Sequence, residues 1–175
     1  RMVGIITAEW SLYMSTELRV PLPPSEIGFR VVDAMCMRYG DQPPLVDGAA
    51  DAVSALATRW PLAMASSSPR LLIDRVLESS GLGALIPISV SSEEVERGKP
   101  APDVYLRAAD RLGVAPVACV AIEDSHNGVL SALAADMRVV AIPDPDFPLE
   151  RRLSDRVSAS LTSIRELTVA IVDGL

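Results

Sequence analysis

With 175 residues, 18.7 kDa, 49% hydrophobic and 22% charged residues, the chain is long enough for one globular domain with a substantial core. Its formal net charge of -7 and pI near 4.7 argue against a nucleic-acid surface, because an acidic protein repels the phosphate backbone. No apolar run approaches the roughly 18 residues that a membrane span requires, and no signal peptide is visible, so we expect a cytoplasmic protein without a membrane partner.

The first 45 residues are predicted to form two helices, at 9–19 and 26–39, in which apolar side chains recur at helical spacing. A proline-rich break at 21–24 separates them, and Ser25 is expected to cap the second helix. The aromatic and methionine positions, Phe29 and Met35 among them, are interpreted as packing positions.

From residue 46 the pattern changes to an alternation of apolar strands and helices. Such alternation implies right-handed crossovers and a parallel sheet covered on both faces, so the predicted class is α/β with a Rossmann-like sheet. Helices are predicted at 48–59, 69–78, 103–112, 129–135 and 164–172, and strands at 61–65, 85–90, 118–122, 139–142 and 157–159.

The two cysteines and the single histidine limit the redox and metal chemistry. Cys36 and Cys119 are far apart in apolar contexts, and are predicted to be buried free thiols in a reducing compartment. With His126 as the only histidine, a His-rich zinc site is excluded.

Two adjacent acids follow the strand predicted at 118–122. Glu123 and Asp124 lie where ligands bind in parallel α/β sheets, beyond the carboxyl end of a strand. Paired carboxylates suit a hard cation such as Mg²⁺. A polar turn that caps the next helix explains the same residues, and this stretch alone favours neither interpretation.

A serine run follows the strand predicted at 61–65. Ser68 before Pro69 is expected to cap the next helix. Ser66 is not needed for that cap, and its hydroxyl beside a helix N-terminus is well placed to hold a phosphoryl oxygen.

The loop after the strand predicted at 85–90 carries glutamates and one lysine. Glu93, Glu94 and Glu96 are interpreted as a solvated face. Lys99 stands between Gly98 and Pro100, where its charge could meet a phosphate or a carboxylate. A hydroxyl, a lysine and an acid pair on three loops at one end of a sheet form a constellation suited to phosphoryl transfer.

Three segments carry a family resemblance: LAMASSSPR, RGKPAPDVYLRAADRLGV and CVAIEDSHNGVLSALAADMRVVAIP. In this order they resemble the second to fourth motifs of the haloacid-dehalogenase-like superfamily, in its phosphatase and β-phosphoglucomutase branch. The resemblance implies that Ser66, Ser67 and Lys99 bind the phosphate, with Ser66 and Lys99 acting in catalysis. It also implies that Glu123 and Asp124 hold Mg²⁺. A departure occurs at Asp136, where the family often has glycine.

The resemblance also implies a domain organisation. Residues 1–45 resemble part of the helical cap domain, and residues 46–175 resemble the α/β core without its first strand, which carries the nucleophilic aspartate. That strand would lie between those ending at Ser66 and Glu123, so we expect it upstream of Arg1 and expect residues 1–175 alone to be unstable and inactive. The D-x-D of Asp144 and Asp146 is a weak alternative that would require a circular permutation.

The predicted function is a Mg²⁺-dependent phosphatase for a small phosphorylated metabolite, working through an aspartyl-phosphate. A sugar-phosphate mutase would share every residue named, and an isomerisation assay would separate the two. A haloacid dehalogenase would not need Mg²⁺, and a non-catalytic phosphate- or partner-binding protein would need no nucleophile. The sequence leaves the oligomeric state open.

Overall fold

The computed structural model describes residues 6–40 and 42–175. In this part of the chain the strands and helices alternate from residue 49 onward, after a pair of helices. The α-helices are α1 (Thr7–Thr16), α2 (Pro24–Tyr39), α3 (Ala49–Ala57), α4 (Arg70–Ser80), α5 (Asp103–Leu112), α6 (His126–Ala134), α7 (Arg151–Ser154) and α8 (Val169–Asp173). The strands are β1 (Ala63–Ser66), β2 (Ile88–Ser91), β3 (Val120–Glu123), β4 (Arg138–Ala141) and β5 (Ala159–Ser160).

All the strand pairs are parallel. β1 pairs with β2, with Ser66 opposite Ser91, while β3, β4 and β5 pair in that order, with Glu123 opposite Ala141. The predicted α/β class with parallel strands and helices on both faces is confirmed. The main core lies between α5, α6 and the strands, where Val90, Val104 and Val129 are fully buried.

The two sheets are separated along β1 and β3. A cavity of about 660 Å³ lies between these strands, lined by residues of both and by side chains from α5 and α8. Each of the two strands is hydrogen-bonded on its other side only, to β2 and to β4 respectively, among the residues described. The edges that face the cavity therefore carry backbone groups without a ladder partner.

The first two helices form a hairpin. Ser11 and Gly28 are buried where α1 crosses α2, and a side chain at Gly28 would lie 3.1 Å from Thr7. Phe29 is 68% exposed, so its interpretation as a packing position is wrong; it lies outside the stripe of α2 that Ile27 and Gly28 bury. Whether this hairpin belongs to a cap domain stays a prediction.

Two predicted helix caps are wrong. α2 begins at Pro24, which puts Ser25 inside the helix. α4 begins at Arg70 after an extended Pro69, and its first free N–H donates to the Glu93 carboxylate at 2.9 Å, not to Ser68.

The ends of other helices follow from local geometry. The helix predicted at 164–172 is a 3₁₀ turn (Ile164–Glu166) and α8, because Thr168 is extended and its hydroxyl accepts a hydrogen bond from Ile171 N. Asp136, just after α6, has φ of +60°, a left-handed conformation that glycine adopts without strain. Glycine, which the resemblance expects here, suits this conformation, and Asp136 adopts it instead.

The thiols are less buried than expected. Cys36 and Cys119 are free but half-buried, so their prediction as buried residues is wrong. Within the described ranges, no helix is both long and apolar enough to cross a bilayer.

Glu94 joins β2 to two helices. Its carboxylate accepts hydrogen bonds from Ser91 N at 2.9 Å, from Arg111 at 2.8 Å and from Arg70. Arg70 and Arg111 each also donate to the Ser89 carbonyl. Glu93 and Glu94 are exposed, as expected of a solvated face, and both carboxylates also anchor α4.

We expect Glu94→Gln to lower the free energy of unfolding at pH 7 by about 1 kcal/mol, as for a partly exposed ion-pair network. Burial opposes ionisation, but the hydrogen bonds from Ser91 and Arg70 outweigh it and lower the pKa of Glu94 from 4.5 to about 2. Since the folded pKa lies below the unfolded one, the stabilisation is present above pH 4.5 and is lost as pH falls towards 2.

Urea unfolding of wild type and variant from pH 3 to pH 7 measures this effect. The difference in stability should shrink with acidity, and Glu96→Gln, at an exposed glutamate two residues away, should leave stability unchanged. A difference that stays constant across the pH range would contradict the prediction.

Candidate active site

The predicted site residues surround a single cleft at the carboxyl ends of β1 and β3. Its volume is about 520 Å³. Five of its lining residues are those that the sequence predicted: Ser66, Ser67, Lys99, Glu123 and Asp124. Parallel strands place the residues that follow them at one edge of a sheet, which is why segments 24 or more residues apart meet here.

Ser66 ends β1 and enters a tight turn. Its hydroxyl accepts a hydrogen bond from Ser68 N at 3.1 Å. From β2, the Ser91 hydroxyl donates to the Ser68 carbonyl at 2.7 Å. The neighbouring strand therefore holds the serine turn in place beside the start of α4.

Lys99 is buried although it comes from a loop. Its side chain is 7% exposed, and its ammonium forms an ion pair with the Glu123 carboxylate. The same ammonium donates to the Ala65 carbonyl at 3.1 Å, next to Ser66. A hydrogen bond of 2.6 Å from Ser131 to the Ala101 carbonyl holds the loop that carries Lys99 against α6. Lys99 thus links the ends of β1 and β3.

Glu123 lies inward, at the base of the cleft. One carboxylate oxygen, Oε1, accepts from Lys99 and from the Tyr105 hydroxyl. The other, Oε2, accepts from Asp124 N at 3.2 Å, from Ser125 N at 3.4 Å and from the Ser125 hydroxyl at 3.2 Å. Both oxygens are therefore engaged by donors of the protein.

The position of the Glu123 carboxylate depends on the start of α6. Ser125 caps this helix by accepting from Gly128 N at 3.1 Å. A side chain at Gly128 would lie 1.8 Å from Glu123 Oε2, closer than atoms can approach. The absence of a side chain at residue 128 therefore lets the carboxylate lie against the helix.

Asp124 faces a different environment. Burial, followed by the charge of Glu123, raises the pKa of the Asp124 carboxyl, and the charge of Asp144 adds to this effect. Within the described part of the chain, Asp124 takes part in no salt bridge. A carboxylate among acidic neighbours and outside any ion pair of the described residues suits a bound cation.

The acids provide only part of a metal site. No group of three or more His, Cys, Asp or Glu side chains among residues 6–40 and 42–175 could hold a metal ion. The hard oxygen donors of Asp124 fit Mg²⁺, which keeps several waters and takes few protein ligands, whereas both oxygens of Glu123 already accept hydrogen bonds from the protein. The D-x-D alternative is an exposed turn in which Asp146 N donates to Asp144 Oδ1 at 2.8 Å.

Sequence reasoning missed Tyr105. It is 7% exposed, lies in the first turn of α5, and contacts both members of the Lys99–Glu123 pair. Burial and the charge of Glu123 raise the pKa of its phenol well above the usual value. Its place on the apolar face of the helix resembles that of any core aromatic residue, so the sequence held no signal for this contact.

A sequence profile of the haloacid dehalogenase-like hydrolases matches residues 18–136. Hexitol phosphatase B of Escherichia coli strain K12 is 35% identical over 146 residues, which cover 82% of this chain and 64% of the relative. Protein CbbY of Rhodobacter capsulatus is 38% identical over 133 residues, 70% of this chain and 59% of the relative. The chain thus spans less than two thirds of the length of these curated relatives.

A solved structure shares the fold. CbbY from Rhodobacter sphaeroides, in complex with phosphate, superposes with a TM-score of 0.75 and is 26% identical. The match covers 88% of this chain and 70% of that chain.

Proposed function

Because the chain belongs to the haloacid dehalogenase-like hydrolase family, we propose that the protein is a Mg²⁺-dependent phosphatase for a small phosphorylated metabolite. One observation carries this proposal. The serine turn, the buried lysine and the two acids line one cleft, although they come from three separate loops. A hydroxyl, a cation and a metal-binding carboxylate side by side can bind a phosphoryl group and offset its charge.

Each side chain of the cleft has its own proposed role. Ser66 and Ser67 would bind phosphoryl oxygens beside the start of α4, and Lys99 would meet the same oxygens with its ammonium. Asp124 would hold Mg²⁺ directly, with Glu123 as the second acid of the metal site. The metal would supply positive charge against the phosphoryl oxygens.

The nucleophile is proposed to be an aspartate on an extended segment outside the described residues, expected upstream of Arg1. The cavity between β1 and β3 supports this proposal, because a parallel strand placed there would end beside Ser66 and Asp124. In the scheme that the family resemblance implies, a carboxylate oxygen of that aspartate would attack phosphorus and the ester P–O bond would break, while a second aspartate of the same segment would protonate the leaving alcohol. Water, deprotonated by the second aspartate, then attacks the aspartyl-phosphate, which releases phosphate and restores the carboxylate.

The substrate class is proposed from the relatives. The names of two of them specify a hexitol phosphatase and a probable pseudouridine-5'-phosphatase. We therefore propose phosphate monoesters of small polyhydroxylated compounds, handled in the cytoplasm without a nucleic-acid or membrane partner. The hairpin of α1 and α2 would contribute to a cap that excludes water.

Phosphate release tests the function. The chain as given and an N-terminally extended form are assayed with p-nitrophenyl phosphate and a panel of hexitol and hexose phosphates, with Mg²⁺ or with EDTA. We expect release from the extended form only, and loss of release with EDTA. An extended form that is inactive with Mg²⁺, unaffected by EDTA, or that only isomerises hexose phosphates would contradict the proposal.

A further inference from the structure

Tyr105 contacts the candidate site from helix α5. Its hydroxyl donates to Glu123 Oε1 at 2.5 Å, and the centre of its ring lies 4.8 Å from the Lys99 ammonium. It is the one aromatic side chain that contacts both groups in the described part of the chain. Its helix, α5, packs on β1 and β2, so the ring is attached to the scaffold and not to a loop.

The contact of Tyr105 with Glu123 matters because Tyr105 and Lys99 donate to the same carboxylate oxygen. Oε1 of Glu123 accepts from Lys99 and Tyr105, while the backbone and side chain of the next two residues hold Oε2. The Tyr105 hydroxyl is therefore the only donor to Oε1, among the described residues, that would not itself meet the substrate. A phosphoryl group that draws on the Lys99 ammonium would leave this hydroxyl bond to the carboxylate in place.

We propose that Tyr105 is a positioning residue: through its hydroxyl it fixes Glu123, and through Glu123 and its ring it fixes the Lys99 ammonium for the phosphoryl group. This inference rests on the proposed function. A phenylalanine would fill the same volume and keep the ring against Lys99, so packing alone does not require the hydroxyl. A buried hydroxyl that donates to a carboxylate fixes the orientation of that carboxylate.

The experiment uses the full-length protein with Tyr105→Phe and Tyr105→Leu. Phosphate release gives kcat, calorimetry with inorganic phosphate gives its Kd, and thermal unfolding gives Tm. We expect Tyr105→Phe to keep Tm within about 2 °C of wild type, to lower kcat about tenfold and to weaken phosphate binding, as for a lost hydrogen bond to a charged group. Tyr105→Leu should lower Tm as well.

The comparison of the two variants separates positioning from packing. If Tyr105 only packs, phenylalanine restores kcat and phosphate affinity together with Tm, and the inference is overturned. Ser54→Ala, which removes a hydroxyl from the exposed face of α3 and outside the cleft, should leave all three quantities unchanged. A wild-type protein that releases no phosphate overturns the proposed function, and phosphate binding then still tests the inference.

Discussion

Replacing Lys99 with methionine is expected to lower the free energy of unfolding by about 3 kcal/mol, because removing one partner of a buried ion pair leaves the other charge uncompensated. Lys99 and Glu123 are 7% and 5% exposed, so water cannot replace the lost ammonium. The same variant should lose phosphate release by at least about a hundredfold, since the cation beside the phosphoryl site is gone. Urea unfolding and a phosphate-release assay of the full-length protein measure the two effects.

A double-mutant cycle tests the physical cause. Lys99→Met with Glu123→Gln leaves no unpaired charge, so stability should recover by more than about 1 kcal/mol relative to Lys99→Met alone, while activity should not recover. Arg97→Met makes the same change two residues away, where the side chain is 66% exposed, and should have little effect on either quantity. Independent, additive effects of the two substitutions would show that the pair is not coupled.

Replacing Asp124 with asparagine should lower activity by about as much as Lys99→Met does. Its effect on stability should be the opposite of that variant's. Turnover should fall at least about a hundredfold, because the proposed direct metal ligand loses its charge. The metal-free protein should unfold at the same or a higher temperature than wild type. Burial and the charge of Glu123 raise the pKa of Asp124, so its charged form is disfavoured in the fold at neutral pH. Because the folded pKa of Asp124 lies above the unfolded one, its contribution to the stability of the fold is favourable only at low pH and is lost as pH rises.

Calorimetry with Mg²⁺, thermal unfolding in EDTA and phosphate release measure these quantities on one preparation. Asp110→Asn, at an exposed aspartate of α5, serves as the control for the loss of one negative charge. Undiminished Mg²⁺ binding by Asp124→Asn would contradict the assigned role, and a lower Tm would contradict the electrostatic argument.

The alternation of strands and helices could be predicted because it follows from the local spacing of apolar residues. α5 was predicted at its observed limits: an aspartate opens it, Val104 and Ala108 recur on its buried side, and Gly113 ends it with φ of +68°. Ends governed by partners distant in the sequence were predicted less well. The start of α4 depends on Glu93, which lies 23 residues away, so a search for a local cap chose Ser68 instead.

The contacts inside the site also depend on distant partners. Lys99 meets Ala65 across 34 residues and Glu123 across 24, while Tyr105 meets Glu123 across 18. Sequence reasoning could place a lysine and two acids at one edge of a sheet, because topology brings strand ends together. It could not show that Glu123 lies inward between Lys99 and Tyr105 while Asp124 carries the unpaired charge.

The stretch ACVAIEDSHNG by itself determined an apolar strand followed by two acids, and no more, since a capped turn and a metal site read alike in the sequence. Tertiary structure decided that the turn is capped and that the cap also orients the first acid: Ser125 caps α6, and its hydroxyl donates to Glu123. The reason is that hydrophobic periodicity acts between neighbours in the chain. The orientation of a buried carboxylate depends instead on every donor that the fold brings within hydrogen-bonding distance.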